Sequence, residues 1–346
     1  MGVVLSASIL ISIFLGSLTT YSDSLSNEEN LNDLDTQIEL LHMLFNHNPS
    51  DLARNMTFGV YEEQRKIPNV VFIATLYSES GMFLIGIDSE VTPEAVDFIL
   101  SFTGIPREKA VIDQFLGVAL EISPEFDVDG LYYGFHPNFL NHHPEVLHYA
   151  RNANSRMVSG GVVMMGQMIN IPGVGAMTLG HPNNISGSRF FTAPHRILPN
   201  GTIVNQGSTR IGSVTRSFYG WFRDVAEVAV GNGVDQVSSR VPWANHNITN
   251  FRGNAIDGML VRSIRGSTGV IGTRIEDANS AFITATGQTW FDMILTYPNV
   301  RSEEGDSGAA LIHTSGTAET VLGTRKGRVD FSGRIFGMYT RVDSYN

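Results

Sequence analysis

From Met157 to its last residue the chain is a succession of short apolar runs and glycine-rich turns, a texture that excludes most folds. Gly175-Ala176-Met177-Thr178-Leu179-Gly180 reads as one strand, and Asn183-Asn184-Ile185-Ser186-Gly187 reads as the turn after it. Arg189-Phe190-Phe191-Thr192-Ala193-Pro194-His195 is a second apolar strand, ending on a histidine. Tyr219 to Val230 places one acid, Asp224, before the β-like run Val225-Ala226-Glu227-Val228-Ala229-Val230. Strand-sized runs at this close spacing, punctuated by many of the chain's 35 glycines, predict an all-β sandwich or barrel for residues 157–346.

The first half has a different texture. Residues 3–22 hold no charged side chain and centre on Ile9-Leu10-Ile11-Ser12-Ile13-Phe14-Leu15, which reads as a signal peptide over 1–22, with a membrane anchor as the alternative. Leu34, Ile38, Leu41 and Phe45 recur at helical spacing. Val70–Leu76 and Met82–Ile87 are β-like and predict a hairpin through Ser78-Glu79-Ser80-Gly81. Thr92-Pro93-Glu94 predicts a helix start and Gly104 its stop, with Val96, Ile99 and Leu100 turned inward. Residues 23–156 therefore read as a small α+β accessory region, with a linker over about 134–156. In that linker His136, His142, His143 and His148 lie near Pro137 and Pro144. The prolines break any regular helix that could converge them on a metal, so no metal site is expected there.

Charge divides the chain in the same place. Residues 1–156 carry 21 acidic and 7 basic side chains, whereas 157–346 carry 13 acidic and 16 basic. Opposite net signs allow the two halves to attract each other. The one basic cluster, Arg325-Lys326 with Arg328, is too small a footprint for nucleic acid. With no cysteine anywhere, packing alone must hold the loops.

Chemistry concentrates in Ser302-Glu303-Glu304-Gly305-Asp306-Ser307-Gly308. Glycines on both sides let the backbone turn successive N–H groups toward one point, with a serine hydroxyl beside them. A serine needs a base, and the base needs a carboxylate to orient it. The chain supplies His195, then Asp224, then Ser307. His313 lies too near Ser307 in sequence to act from another loop, and Ala309 stands where a Gly-x-Ser-x-Gly elbow requires glycine.

With those residues in place, the chain resembles the chymotrypsin-like serine proteases, and most closely the bacterial branch of streptogrisins and α-lytic protease. The resemblance rests on Val158-Ser159-Gly160-Gly161, Phe191-Thr192-Ala193-Pro194-His195, Asp224-Val225-Ala226, Ser302 to Gly308 and Phe336 to Val342. It implies two six-stranded β-barrels, about 157–250 and 251–346, with no cofactor or metal. It also implies His195 as base, Asp224 as orienting carboxylate, Ser307 as nucleophile, and the N–H groups of Gly305 and Ser307 as an oxyanion hole. Asp306 would be a buried structural acid. The substrate pocket would involve Arg301, Ser302, Gly323 and Gly337, with either Arg301 favouring an acidic side chain or Phe336 and Met338 lining an apolar pocket. Partners would be protein or peptide substrates and the chain's own pro-region, with cleavage close to Arg156-Met157, secretion, and neither nucleic acid nor a lasting membrane association. Pro194 and Ala309 depart from the family pattern. A non-catalytic binding protein on the same fold is the alternative.

Overall fold

The computed structural model describes residues 70–123, 137–142, 162–183, 188–207, 209–220, 223–231, 236–238, 247–283, 289–299 and 302–345. The predicted signal peptide, the helix through Leu34 to Phe45, the cleavage point near Arg156 and Val158-Ser159-Gly160-Gly161 lie outside them, as do His136, His143 and His148. Pro93–Pro106 falls in one compact unit, and Val70–Thr92 with Arg107–Asn346 in another. Within the first, helix α1 runs Pro93–Thr103. Gly104 ends it at φ +69°, its N–H bonded to the Leu100 carbonyl at 2.9 Å, a left-handed stop that glycine takes without a steric penalty.

The second unit begins with strands β1 (Val70–Leu76) and β2 (Met82–Ile87), the hairpin expected from the sequence. Strand β3 (Ala110–Gln114) runs parallel to β2, and β4 (Val118–Leu120) follows as a short separate strand. A six-residue helix α2 (Pro137–His142) precedes β5 (Val162–Met164).

The next strands are β6 (Met168–Ile171), β7 (Gly175–Thr178), β8 (Arg189–Thr192), β9 (Ile203–Gln206), β10 (Thr209–Gly220) and β11 (Arg223–Val230). They form one sheet in the order β7-β6-β9-β10-β11-β8. Past Thr178 the backbone continues onto β8 through Gly180 N–H to Phe191 O and Phe191 N–H to His181 O, closing the sheet into a ring. Alternate residues fill it: Ile169, Ile171, Met177, Val204, Val214 and Val228 are all buried in one cluster. Strand β12 (Gln236–Ser238) pairs in parallel with β5.

A second ring uses β13 (Leu260–Arg265), β14 (Gly269–Ile283), β15 (Thr289–Tyr297), β16 (Ala310–Ser315), β17 (Ala318–Phe331) and β18 (Arg334–Arg341). The order β13-β16-β17-β18-β15-β14 closes because β14 also pairs with β13. Two successive six-stranded rings make this an all-β, chymotrypsin-like double β-barrel. Phe191 and Val225 of the first ring share a buried cluster with Ile264, Ala310 and Ile312 of the second. Each of the Phe, Val and Ile side chains contributes about 1.5–3 kcal/mol when fully buried, so this apolar seam fixes the rings against each other.

The hairpin builds no sheet of its own. β1 pairs with β14 at Phe72↔Phe282 and Ile73↔Ala281, extending the second ring's sheet to ten strands with β4 included. The 15-residue β14 bends at several register shifts, and its far half offers an edge that β1 covers. Phe336 and Met338, expected as possible pocket lining, instead pack with Phe72, Trp290 and Leu295 beneath this extension. Strand alternation explains the difference, since Gly337 and Tyr339 occupy the opposite face of β18.

Candidate active site

The loop from Ser302 to Ala309 is held by its own acid. Asp306 is fully buried and accepts from the N–H groups of Ser267 and Thr268, both at 3.2 Å, and from Thr268 Oγ1 at 2.8 Å. Burial pushes its carboxyl above the usual range, with Arg265 and Arg325 opposing. Gly305 and Gly308 sit at φ +92° and +90°. A Cβ at Gly305 would lie 2.4 Å from Ser267 Oγ, so only glycine fits. Thr178, at the end of β7, donates through N–H to Ser307 O at 2.8 Å and through Oγ1 to Gly305 O at 2.7 Å. The first ring thereby grips the loop that belongs to the second.

His195 and Asp224 come from the first ring. Pro194 has no N–H to continue the ladder, so β8 ends at Thr192. His195 then takes φ +56°, and its N–H reaches Asp224 Oδ1 at 2.9 Å. Asp224 sits opposite Tyr219 near the start of β11, which aims its carboxylate at the histidine ring. Its Oδ2 makes a short hydrogen bond with His195 Nδ1. A carboxylate only accepts, so the ring proton belongs on Nδ1 and leaves Nε2 as an acceptor. Ser307 Oγ lies 2.6 Å from that Nε2 and 3.0 Å from Ala193 O. The structure thus brings His195, Asp224 and Ser307 into one hydrogen-bonded chain.

A further cation joins it. Lys326 Nζ donates to Asp224 Oδ2 at 2.9 Å and stands 3.2 Å from the centroid of the Trp290 ring. Burial alone would raise the Asp224 carboxyl, but His195 and Lys326 outweigh it and hold it well below the carboxylate range. For Lys326, burial pushes the ammonium down against the opposing pull of Asp224.

Against this chain lies a segment of the same polypeptide. The Glu121 carbonyl accepts from Gly305 N–H at 2.6 Å and from Ser307 N–H at 3.2 Å, the two groups expected to hold an oxyanion. Its carboxylate meets Arg325 through Nε at 2.5 Å and Nη2 at 2.8 Å, and accepts a short bond from the Ser302 hydroxyl. Burial would raise that carboxyl; the charge and hydrogen bonds of Arg325, with Ser302 and the charge of Arg265, bring it below its ordinary value. Arg325 is itself fully buried, donates to Tyr339 Oη at 2.9 Å, and is held above its usual value by Glu121 despite burial. Arg265 Nη2 donates to Asn299 Oδ1 at 2.7 Å on the same side.

The flanks of Glu121 are extended. Before it, β4 pairs antiparallel with β17 at Leu120↔Gly327, Ala119↔Arg328 and Val118↔Val329. After it, Ser123 exchanges both backbone bonds with Ala176, at 3.0 and 2.8 Å. Glycine makes room on each side. A Cβ on Gly327 would lie 2.3 Å from Ala119 O, and one on Gly175 would lie 2.6 Å from Ser123 O.

Of the pocket residues expected from the sequence, Ser302 touches Glu121, and Gly337 backs Arg325, where a Cβ would come 2.7 Å from Nη1. Gly323 lies on β17 two residues before Arg325, where a Cβ would meet Thr340 O at 2.8 Å and Ile294 and Tyr339 at 3.2 Å. Arg301 lies outside the described residues. Sequence reasoning missed Glu121, Arg325, Lys326, Arg265 and Asn299, whereas Tyr339 lies on the late strand that it expected near the pocket. Lys326 carried one signal, as the only lysine after Lys109.

No family model and no curated protein matches the chain. Among solved structures it is similar to Thermobifida fusca protease A, at 21% identity and TM-score 0.42 over 53% of this chain and 93% of that one. The Nocardiopsis protease gives 23% and 0.42 over 53% and 94%, and a Cellulomonas bogoriensis chymotrypsin gives 24% and 0.41 over 53% and 93%.

Proposed function

We propose that the chain is a serine endopeptidase that works through Ser307, His195 and Asp224. The observation that carries this reading is the continuous hydrogen-bonded run from Asp224 through both ring nitrogens of His195 to Ser307 Oγ, with two backbone N–H groups converging beside it on one carbonyl oxygen. Ser307 Oγ attacks a peptide carbonyl while His195 Nε2 takes its proton. Asp224 keeps the ring in the tautomer this needs and balances the imidazolium that forms. The N–H groups of Gly305 and Ser307 receive the oxyanion. His195 then returns the proton to the leaving amine, and water releases the acyl group by the reverse transfers. Ser302 and Gly337 contribute to the substrate pocket.

The uncharged stretch at 3–22 and the acidic first half support export as a pro-protein, with that half pairing to its own barrels in cis. Intact mass of exported protein tests this part, and an uncleaved leader would contradict it. For the chemistry, Ser307→Ala and His195→Ala each lower kcat/KM on a peptide substrate by about 10,000-fold or more while each variant remains folded by circular dichroism. A variant that retains a tenth of parental activity would contradict the assignment of the residue it replaces.

A further inference from the structure

We infer that this active site selects glutamate on the acyl side of the cleaved bond, and that its first substrate is the chain's own Glu121–Ile122 bond. The inference rests on the serine endopeptidase reading above and adds the substrate class. Three independent features of Glu121 lead to it.

The main-chain position comes first. Of all the carbonyls in the described residues, the Glu121 carbonyl is the one that receives both the Gly305 and the Ser307 N–H. A carbonyl in that place, beside an assembled Ser–His pair, stands where a scissile carbonyl must stand. An internal salt bridge needs only the side chain, so a purely structural Glu121 leaves the carbonyl geometry unexplained.

The second feature is the course of the chain. Residues 118–120 add to the edge of β17, and Ser123 pairs with Ala176 on the far side of the bond. Backbone pairing on both sides is the mode in which an extended peptide is read without regard to most of its sequence. Gly327 and Gly175 remove the side chains that would obstruct it.

The third is the pocket itself. Arg325 is fully buried and forks onto the Glu121 carboxylate through two nitrogens, with the Ser302 hydroxyl as a third donor. Among the described residues the ion-pair partner of Arg325 is Glu121. A buried guanidinium whose carboxylate arrives on a mobile ligand demands an anion, because leaving it unpaired carries a large desolvation penalty. Glutamine offers one acceptor and two mismatched donors, and aspartate falls one methylene short of the fork. Neutral and basic side chains leave Arg325 unpaired. Glutamate is the side chain that satisfies the pocket.

The step balances within the chain and one water. Ser307 Oγ bonds to the Glu121 carbonyl carbon and its proton moves to His195. The bond to the Ile122 nitrogen breaks as that nitrogen takes the proton. Water then hydrolyses the ester, giving a Glu121 carboxylate, an Ile122 amine and the restored serine.

The test uses the full chain. Purified wild type, Ser307→Ala and Glu121→Gln are followed by intact mass and amino-terminal sequencing. Wild type is then given matched peptides that differ only in having Glu, Gln, Asp, Phe or Arg before the cleaved bond. The expected result is a new amino terminus at Ile122 in wild type, absent in Ser307→Ala and formed at least about 100-fold more slowly in Glu121→Gln, with the Glu peptide preferred over Gln by a similar factor. The peptide panel does not depend on whether the Glu121 variant folds. Cleavage that depends on Ser307 but spares the 121–122 bond, or a panel in which Phe or Arg matches Glu, overturns the inference and leaves the endopeptidase standing. A folded wild type that cuts neither itself nor any peptide overturns both.

Discussion

Asp224 accepts from three donors: the N–H of His195, the His195 ring and the Lys326 ammonium. The last of these is fully enclosed, with Trp290 on one side and the Tyr219 ring at 5.2 Å on another. The ring faces attract a cation, but the carboxylate is what keeps a dehydrated ammonium charged. Replacing Lys326 by methionine fills the space and leaves Asp224 with less opposing charge. The expected cost is about 3 kcal/mol in urea unfolding at neutral pH, the scale of breaking one side of a buried ion pair. A change under about 0.5 kcal/mol would show that the pair contributes nothing net. That His195, Asp224 and Ser307 would lie together was legible because their order along the chain is informative and glycines flank the serine. Arg325 and Lys326 were not, because buried charges run against the general rule and appear in sequence as an ordinary solvated basic run. Alternation along β17 turns one to the pocket and the other to Asp224, and nothing local in the sequence says that both sides are interior.

At the scale of elements, the hairpin of β1 and β2 was readable from its two apolar runs, and α1 from its proline start and glycine stop. Their destination was not readable, since edge pairing depends on the bends of β14, where Phe282 pairs with Phe72 from far along the chain. The join is marked by Asp277. It is fully buried and accepts from Thr75 N–H of β1 at 2.7 Å and from Asn279 N–H at 2.7 Å. Burial first, with the charge of Asp257 adding to it, pushes its carboxyl up to about 7. For an acid raised on folding, the stabilising contribution is present below the ordinary value of 3.8 and is lost as pH rises toward 7. The β1 amides are therefore expected to exchange with solvent more readily at pH 8 than at pH 5, relative to the amides of β10. Asp277→Asn removes most of that difference. Equal protection of β1 at both values in wild type would contradict this account of the join.

For the whole molecule, closure of each ring and the apolar seam between them bring residues 112 positions apart within 2.6 Å. The all-β class followed from texture alone, and the double barrel came only with the resemblance to the chymotrypsin-like proteases. The place of residues 118–123 did not follow, because a strand that fills a cleft resembles any short polar-apolar segment until its partners are known. The most direct measurement is to treat the purified protein with a fluorophosphonate and locate the adduct by peptide mapping, beside Ser307→Ala and His195→Ala. Once residues 118–121 have left the cleft, an active site assembled as described yields one adduct, on Ser307 in the wild type, and none in either variant. Folded wild-type protein that has released residues 118–121 and still carries no adduct would contradict it.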